Sequence, residues 1–87
     1  MSISLENLRA QFDLENWIEL SERLSLVAED EIKCSWQFSF FKAALWSHQG
    51  YPELAIPYFE ISLHLNNSNL EASWWLAQAF MDLQQWK

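Results

Sequence analysis

WSHQGYPELAIPYF, residues 46–59, is the stretch that decides the fold. Gly50 predicts the end of a helix, because glycine readily adopts the left-handed backbone that often terminates one. Pro52 suits the first position of a following helix, where its missing N–H costs no hydrogen bond. On that second helix the small Ala55 and the large Phe59 lie one turn apart on the same face. The stretch therefore predicts a helical hairpin.

The composition favours a small, all-helical domain. The chain has 87 residues, which is one domain at most. It contains one glycine and two prolines, fewer than the turns of a β-rich domain would use. Hydrophobic residues make up 51% and include six tryptophans, and burying a large apolar side chain contributes roughly 1.5–3 kcal/mol. We therefore expect a few helices around an ordered core.

Charge and hydropathy argue against two kinds of partner. The net charge is −7, whereas nucleic-acid-binding domains carry a basic surface, so we expect no nucleic acid partner. No run of about 18 apolar residues is present, so we expect no membrane span. The N-terminal residues do not show the basic and apolar regions of a secretory signal. Cys34 is the single cysteine, so no disulfide can form within the chain, and we expect its side chain to be buried. Together these features predict a cytoplasmic protein.

Acidic residues are concentrated in the first part of the chain. Residues 1–33 contain eight acids and three bases. Such a distribution is typical of solvated helix faces. It would also suit an acidic surface that binds a basic partner. Both interpretations remain open from the sequence.

Helical spacing of apolar residues predicts about five helices. They are expected over about 4–11, 14–28, 32–49, 52–65 and 70–83. Asp13 is positioned to cap the second helix, and Ser68 or Asn69 to cap the fifth. The third segment is apolar on almost every side, which is typical of a central helix.

The apolar pattern repeats when the chain is shifted by 34 or 35 residues. Three sets of positions then align: Leu8, Ala43 and Ala77; Gln11 or Phe12, Trp46 and Phe80; and Leu14, Gln49 and Leu83. Leu20 and Leu24 align with Ala55 and Phe59. A period of this length with paired helices is typical of stacked helical hairpins.

The central unit resembles a tetratricopeptide repeat, best over residues 36–69. The positions that carry the resemblance are the small Ala43, the bulky Trp46, Gly50 in the turn, the Ala55–Phe59 pair and Leu63. Three residues depart from the family pattern: Lys42 replaces a leucine, Asn67 replaces a proline, and Leu20 replaces a small residue in the first unit. The match is therefore clearest in one unit.

The resemblance implies an all-α fold of antiparallel hairpins stacked as a short, right-handed solenoid. Residues 1–87 would form one domain, with an imperfect unit over 1–34, the best unit over 35–69 and a half unit over 70–87. The half unit has a first helix but no second, which leaves an open apolar end at Phe80 and Trp86. The chain could be the front of a longer repeat protein, the last helix could cap the stack, or it could pair with a copy of itself in a homodimer.

In the family, the first helix of each hairpin lines a concave groove. Carried over to this chain, the groove would present Leu5, Arg9, Phe12, Phe40, Ala44, Ser47 or His48, Glu71, Trp74 or Trp75, Gln78 and Asp82. Most aromatics must be core, so we expect only one or two of Phe12, Phe40, Trp74 and Trp75 to be exposed. Relatives that bind acidic chaperone tails use several basic groove residues, whereas Arg9 is the single candidate here. An aromatic, acidic groove suits an apolar or basic peptide or helix.

The sequence predicts no catalytic, cofactor or metal site. His48 and His64 lie on different predicted helices and lack ligands at metal-binding spacing. Gly50 is the single glycine, which excludes a glycine-rich phosphate loop. We therefore predict a non-catalytic module that binds a partner protein or peptide through the groove. The alternative is a structural domain that self-assembles, or packs on the rest of a larger protein, through its tryptophan-rich last helix.

Overall fold

A computed structural model describes residues 4–85, with the side chains of residues 4–84. Six helices lie in this range: α1 (Leu5–Asp13), α2 (Trp17–Leu24), α3 (Glu29–Cys34), α4 (Trp36–His48), α5 (Pro52–Leu65) and α6 (Leu70–Gln85). The described residues form no strand. The predicted all-α fold class is therefore confirmed.

The described residues form six helices instead of the expected five, because the segment predicted over 32–49 is divided at Ser35. The backbone of Ser35 is extended, and its hydroxyl accepts a hydrogen bond from the Phe38 N–H at 3.3 Å as the N-cap of α4. A serine side chain can satisfy the backbone locally in this way, so the helix ends and restarts. The acidic residues 29–31 fill the first turn of α3, where the helix dipole favours negative charge.

The N-cap predicted for the second helix was wrong, whereas the N-cap predicted for the last helix, α6, is confirmed. Asp13 does not cap α2, since it is the last residue of α1. The N-cap of α2 is Asn16, whose amide donates to the Gln11 side chain at 3.0 Å and makes no capping bond. Asn69 caps α6 as predicted, with its side-chain oxygen accepting from the Ala72 N–H at 3.2 Å.

Gly50 ends α4 in a Schellman turn. Its φ of +90° is in the left-handed region. The Gly50 N–H donates to the Ser47 carbonyl at 3.2 Å, and the Tyr51 N–H donates to the Trp46 carbonyl at 2.9 Å. The rings of Trp46 and Tyr51 pack edge to face at 5.8 Å, which is the apolar contact that accompanies this motif.

The same turn ends α1, 35 residues earlier, with Glu15 in the glycine position. Glu15 has φ +57°. Its N–H donates to the Phe12 carbonyl at 3.0 Å, and the Asn16 N–H donates to the Gln11 carbonyl at 2.9 Å. The two turns therefore match the 35-residue period of the apolar pattern.

The α4–α5 pair is the expected hairpin. The Ser62 hydroxyl, late in α5, donates to the Trp36 carbonyl at the start of α4 at 2.8 Å, so the two helices run antiparallel. Ala43, Ala55 and Phe59 are fully buried in the core. Small residues facing one another allow close helix approach, and the large ring fills the remaining space.

Trp75 of α6 joins four other helices. The centroid of its ring lies 5.9 Å from that of Phe12 in α1 and 6.4 Å from that of Trp17 in α2. The centroid distances to Phe40 in α4 and Phe59 in α5 are 6.3 and 6.2 Å. In a solenoid each repeat contacts its immediate neighbours, whereas here the first helices of units one and three meet. Solenoid stacking of the tetratricopeptide type stays a prediction.

The burial of α6 differs from the predicted alignment. Ala77 is exposed, while Ala72 and Ala79 are fully buried. Ala79 lies 35 residues after the buried Ala44. The face of α6 that packs on the core therefore contains Ala72 and Ala79, and not Ala77, which the predicted alignment paired with Ala43. Cys34 is also exposed, contrary to expectation, because it is the last residue of the short helix α3.

Candidate interaction surfaces

The structure divides the predicted groove residues between core and surface. As expected, only one or two of the four candidate aromatics keep exposed surface: Trp74 is exposed and Trp75 partly so. Phe12, Phe40 and Ala44 are buried and do not line an open groove. The physical reason is that Trp75 packs on the rings of Phe12 and Phe40 and fills the space in front of them. The concave face expected from the resemblance is therefore largely closed by α6.

The other predicted groove residues keep exposed surface. Trp74 of α6 and His48 of α4 are exposed, while Trp75 and Gln78 of α6 are partly buried. The imidazole of His48 stacks on the Trp17 indole, with ring centroids 4.3 Å apart and planes inclined by 15°. Phe80 is exposed as expected for the open end, whereas Trp86 lies outside the described residues.

Arg9 connects α1 to α6 at the edge of the closed groove. Its guanidinium makes two hydrogen bonds to the Glu71 carboxylate, at 2.8 and 3.2 Å, and lies 3.1 Å from Asp13. The hydrogen bond to Glu71 raises the pKa of Arg9 above its ordinary value. The cation also lies 5.4 Å from the centre of the Phe12 ring, within cation–π range. Arg9 is therefore committed to contacts within the chain.

A cleft of about 340 Å³ remains between α1 and α4. This α1–α4 cleft is lined by Leu5, Glu6, Arg9, Trp36, Gln37, Phe40 and Phe41. Phe40 and Phe41 are almost fully buried and form its floor, while Leu5 and Trp36 keep exposed surface at its walls. Its volume is at the small end of ligand-binding cavities, so it has room for one large apolar group.

The mouth of the α1–α4 cleft is acidic. The positive charge of Arg9 is compensated by Glu71 and Asp13. Glu6, in the first turn of α1, makes no ion pair within the described residues. The third polar group, the Gln37 side chain, accepts a hydrogen bond from the Ser35 hydroxyl at 3.1 Å. An apolar group that enters this cleft would therefore meet negative charge at its edge.

A second apolar surface runs along the outside of α6. Leu70, Trp74, Ala77 and Met81 form this α6 stripe, with spacings of four, three and four residues. Leu70 is 82% exposed, Trp74 60% and Met81 52%, and Ala77 is also exposed. Residues at these spacings lie on one face of a helix. The exposed Phe80 adjoins the stripe.

Sequence reasoning pointed to α6 as an open end and named Trp74 and Phe80, but it missed Leu70, Ala77 and Met81. The four-three-four spacing of apolar residues was the signal that could have found the stripe. No equivalent signal exists for the α1–α4 cleft, because it depends on how α1 lies against α4.

Chemistry-bearing side chains are dispersed in the described part of the chain. Residues 4–84 contain no group of three or more His, Cys, Asp or Glu side chains placed to hold a metal ion. His48 lies at the end of α4 and His64 near the end of α5. Of the helices within residues 4–85, none has both the length and the apolar character that membrane crossing requires.

Comparisons with known proteins found no relative. The chain matches no protein-family model, and searches of curated proteins and of solved structures gave no match. The likeness to tetratricopeptide repeats therefore rests on the residues quoted above.

Proposed function

We propose that this protein is a non-catalytic interaction module that binds a partner peptide or helix through the α1–α4 cleft. The observation that carries the proposal is an apolar cleft, between the first helices of two hairpins, with an acidic mouth. In the family that the sequence resembles, these helices line the groove that binds peptides.

The shape of the α1–α4 cleft supports a single apolar anchor. Phe40 and Phe41 close its floor, and the exposed parts of Leu5 and Trp36 form apolar walls. Interfaces commonly gain most of their binding energy from a few such anchors seated in pockets. A partner side chain of leucine, phenylalanine or tryptophan size fits the volume of about 340 Å³.

The charge of the molecule supports basic residues beside that anchor. Eight of the acids lie in residues 1–33, and Glu6 is at the cleft mouth. Complementary charge steers association and helps to fix orientation. The expected ligand is therefore a peptide or helix with one large apolar side chain flanked by lysine or arginine.

A peptide series followed by NMR tests the proposal. The probes are short peptides with a central phenylalanine flanked by lysines, the same peptide with central alanine, and the same peptide flanked by glutamates. We expect the first to bind most tightly, with chemical shift changes at the amides of Leu5, Arg9 and Gln37. Equal binding of the three peptides would contradict the proposal.

A matched pair of variants locates the site. Leu5→Gln removes an apolar wall of the α1–α4 cleft, whereas Leu14→Gln removes a leucine that is 74% exposed and does not line it. Leu5→Gln should weaken binding of the lysine-flanked peptide severalfold, and Leu14→Gln should leave it unchanged. Equal effects of the two substitutions would place the binding elsewhere.

A further inference from the structure

The α6 stripe has the spacing of a helix-packing seam. Its four residues follow one another at four, three and four positions, an average of about 3.7 residues, close to the 3.6 residues of one helical turn, so they form a continuous line along which a second helix can pack. The opposite face of α6 already packs inside the molecule through Ala72, Trp75 and Ala79. The outer face is therefore an additional packing surface that the described chain leaves uncovered.

The exposed area of the stripe is enough for a small interface. Leu70, Trp74, Ala77, Met81 and the adjoining Phe80 together expose on the order of 600 Å² of side-chain surface, the upper end of what monomers commonly show. Two such faces in contact would bury on the order of 1,200 Å², the lower end of the range for specific complexes.

We infer that the stripe binds the stripe of a second copy of this chain, with the two α6 helices antiparallel. In that orientation Trp74 of each copy lies over Ala77 of the other, and Leu70 lies near Met81. Pairing a large residue with a small one allows the two surfaces to interdigitate. A parallel arrangement would place Trp74 on Trp74 and leave a gap between the two alanines.

The charge distribution favours a second copy over a basic partner at this surface. Residues 70–85 contain two charged residues, Glu71 and Asp82. Glu71 is turned toward α1, where it pairs with Arg9, and Asp82 lies three turns further along the same face. The stripe therefore offers no acid to a basic helix. The acids of residues 1–33 lie on α1, α2, α3 and the turns that follow α1, so self-association through α6 keeps most of the −7 charge away from the contact.

Analytical ultracentrifugation of the full chain over a wide concentration range tests the inference. We expect a monomer–dimer equilibrium with a micromolar Kd, which is reasonable for an interface of this size. Leu70→Gln/Met81→Gln should weaken it about 30-fold. The control Ile18→Gln/Leu26→Gln changes two leucine-sized residues of similar exposure on and after α2, and should leave the Kd unchanged.

A volume swap tests the orientation. Ala77→Trp adds apolar surface, so it would strengthen non-specific association, but it should weaken the antiparallel dimer about tenfold because Trp74 then meets a second indole instead of a methyl group. Trp74→Ala should weaken the dimer as well, and the double variant Trp74→Ala/Ala77→Trp should recover most of the loss. Circular dichroism of each variant confirms that the helices are retained.

Three results would overturn the inference. The first is a wild-type chain that stays monomeric at every concentration, and the second is a dimer that Ala77→Trp strengthens. The third is a control, with both Ile18 and Leu26 substituted, that weakens the dimer as much as Leu70→Gln/Met81→Gln does. The inference concerns a different surface from the α1–α4 cleft. Leu5→Gln should leave the dimer intact, so the two proposals succeed or fail separately.

Discussion

Glu15 occupies a backbone conformation that favours glycine, and Glu15→Gly should stabilise the fold. Its φ of +57° lies in the left-handed region, and its turn has the same hydrogen bonds as the turn at Gly50. A side chain in this conformation brings its Cβ close to the following carbonyl oxygen. Glycine has no Cβ, so the substitution removes that strain without disturbing the Schellman bonds.

The expected gain is the difference between two opposing effects. The left-handed conformation costs an L-residue roughly 1–2 kcal/mol, and glycine loses about 0.5–1 kcal/mol more conformational entropy on folding. The free energy of unfolding should therefore rise by about 0.5–1 kcal/mol. For a domain of this size that corresponds to an increase in Tm of about 3–6 °C.

Urea and thermal denaturation followed by circular dichroism measure this gain. Glu15→Gly also removes a negative charge from an acidic region, so Glu15→Gln is the matched control that removes the charge alone. The reciprocal variant Gly50→Gln should lose about 0.5–1 kcal/mol. No heavy atom lies within 4 Å of a Cβ built on Gly50, so that loss would be purely conformational.

Either of two results would refute the reasoning. Glu15→Gly could prove no more stable than Glu15→Gln, which would mean that charge accounts for the whole effect. Alternatively, Gly50→Gln could be neutral, which would mean that the turn does not demand a left-handed residue.

Three further predictions concern the contacts that hold the helices together. Trp75→Ala should cost about 3–5 kcal/mol of unfolding free energy and Trp74→Ala less than about 1 kcal/mol, measured by urea denaturation at low concentration; equal costs would contradict the burial of Trp75. A double-mutant cycle of Arg9→Met and Glu71→Gln should give a coupling of about 0.5–1 kcal/mol that falls with added salt, because both groups are exposed; a salt-independent value would argue against an ion pair. Burial and the hydrogen bond to Glu29 raise the pKa of Tyr58 to about 12. This pKa exceeds the ordinary tyrosine value of about 10. Protonated Tyr58 therefore makes its full contribution to the free energy of unfolding below pH 10, and this contribution disappears as the pH rises toward 12. Tyr58→Phe should lose less stability over that interval, and ultraviolet titration of the two proteins would detect the late ionisation.

The helical hairpin could be predicted from the sequence because local chemistry determines it. Gly50 supplies a backbone conformation that other residues adopt at a cost, and Pro52 fits a helix start that needs no N–H. The Asn69 cap follows from the same kind of reasoning, since its side chain accepts a bond from a nearby backbone N–H. These features depend on a few neighbouring residues.

Two features of the fold could not be predicted in this way: the helix break at Ser35, and which face of α6 is buried. Ser35 could either continue a helix or cap a new one, and the neighbouring residues do not decide between the two. In α6, apolar residues occupy both faces, so periodicity alone does not say whether Ala77 or Ala79 faces the core. The sequence could not tell which of the groove aromatics would be buried, because the burial of Phe12 and Phe40 depends on Trp75, which is distant in the sequence.

The contact between α1 and α6 decides whether the groove implied by the resemblance is open. It has two parts, the ion pair of Arg9 with Glu71 and the packing of Phe12 against Trp75. The ion pair is exposed, and such pairs contribute at most about 1 kcal/mol, whereas removing a large packed ring costs about 3–5 kcal/mol. Salt or substitution of Arg9 should therefore leave the groove closed, since Trp75 also packs on Phe40 and Phe59. Opening the groove requires moving Trp75, and with it α6, so the proposed peptide binding would use the α1–α4 cleft unless such a movement occurs.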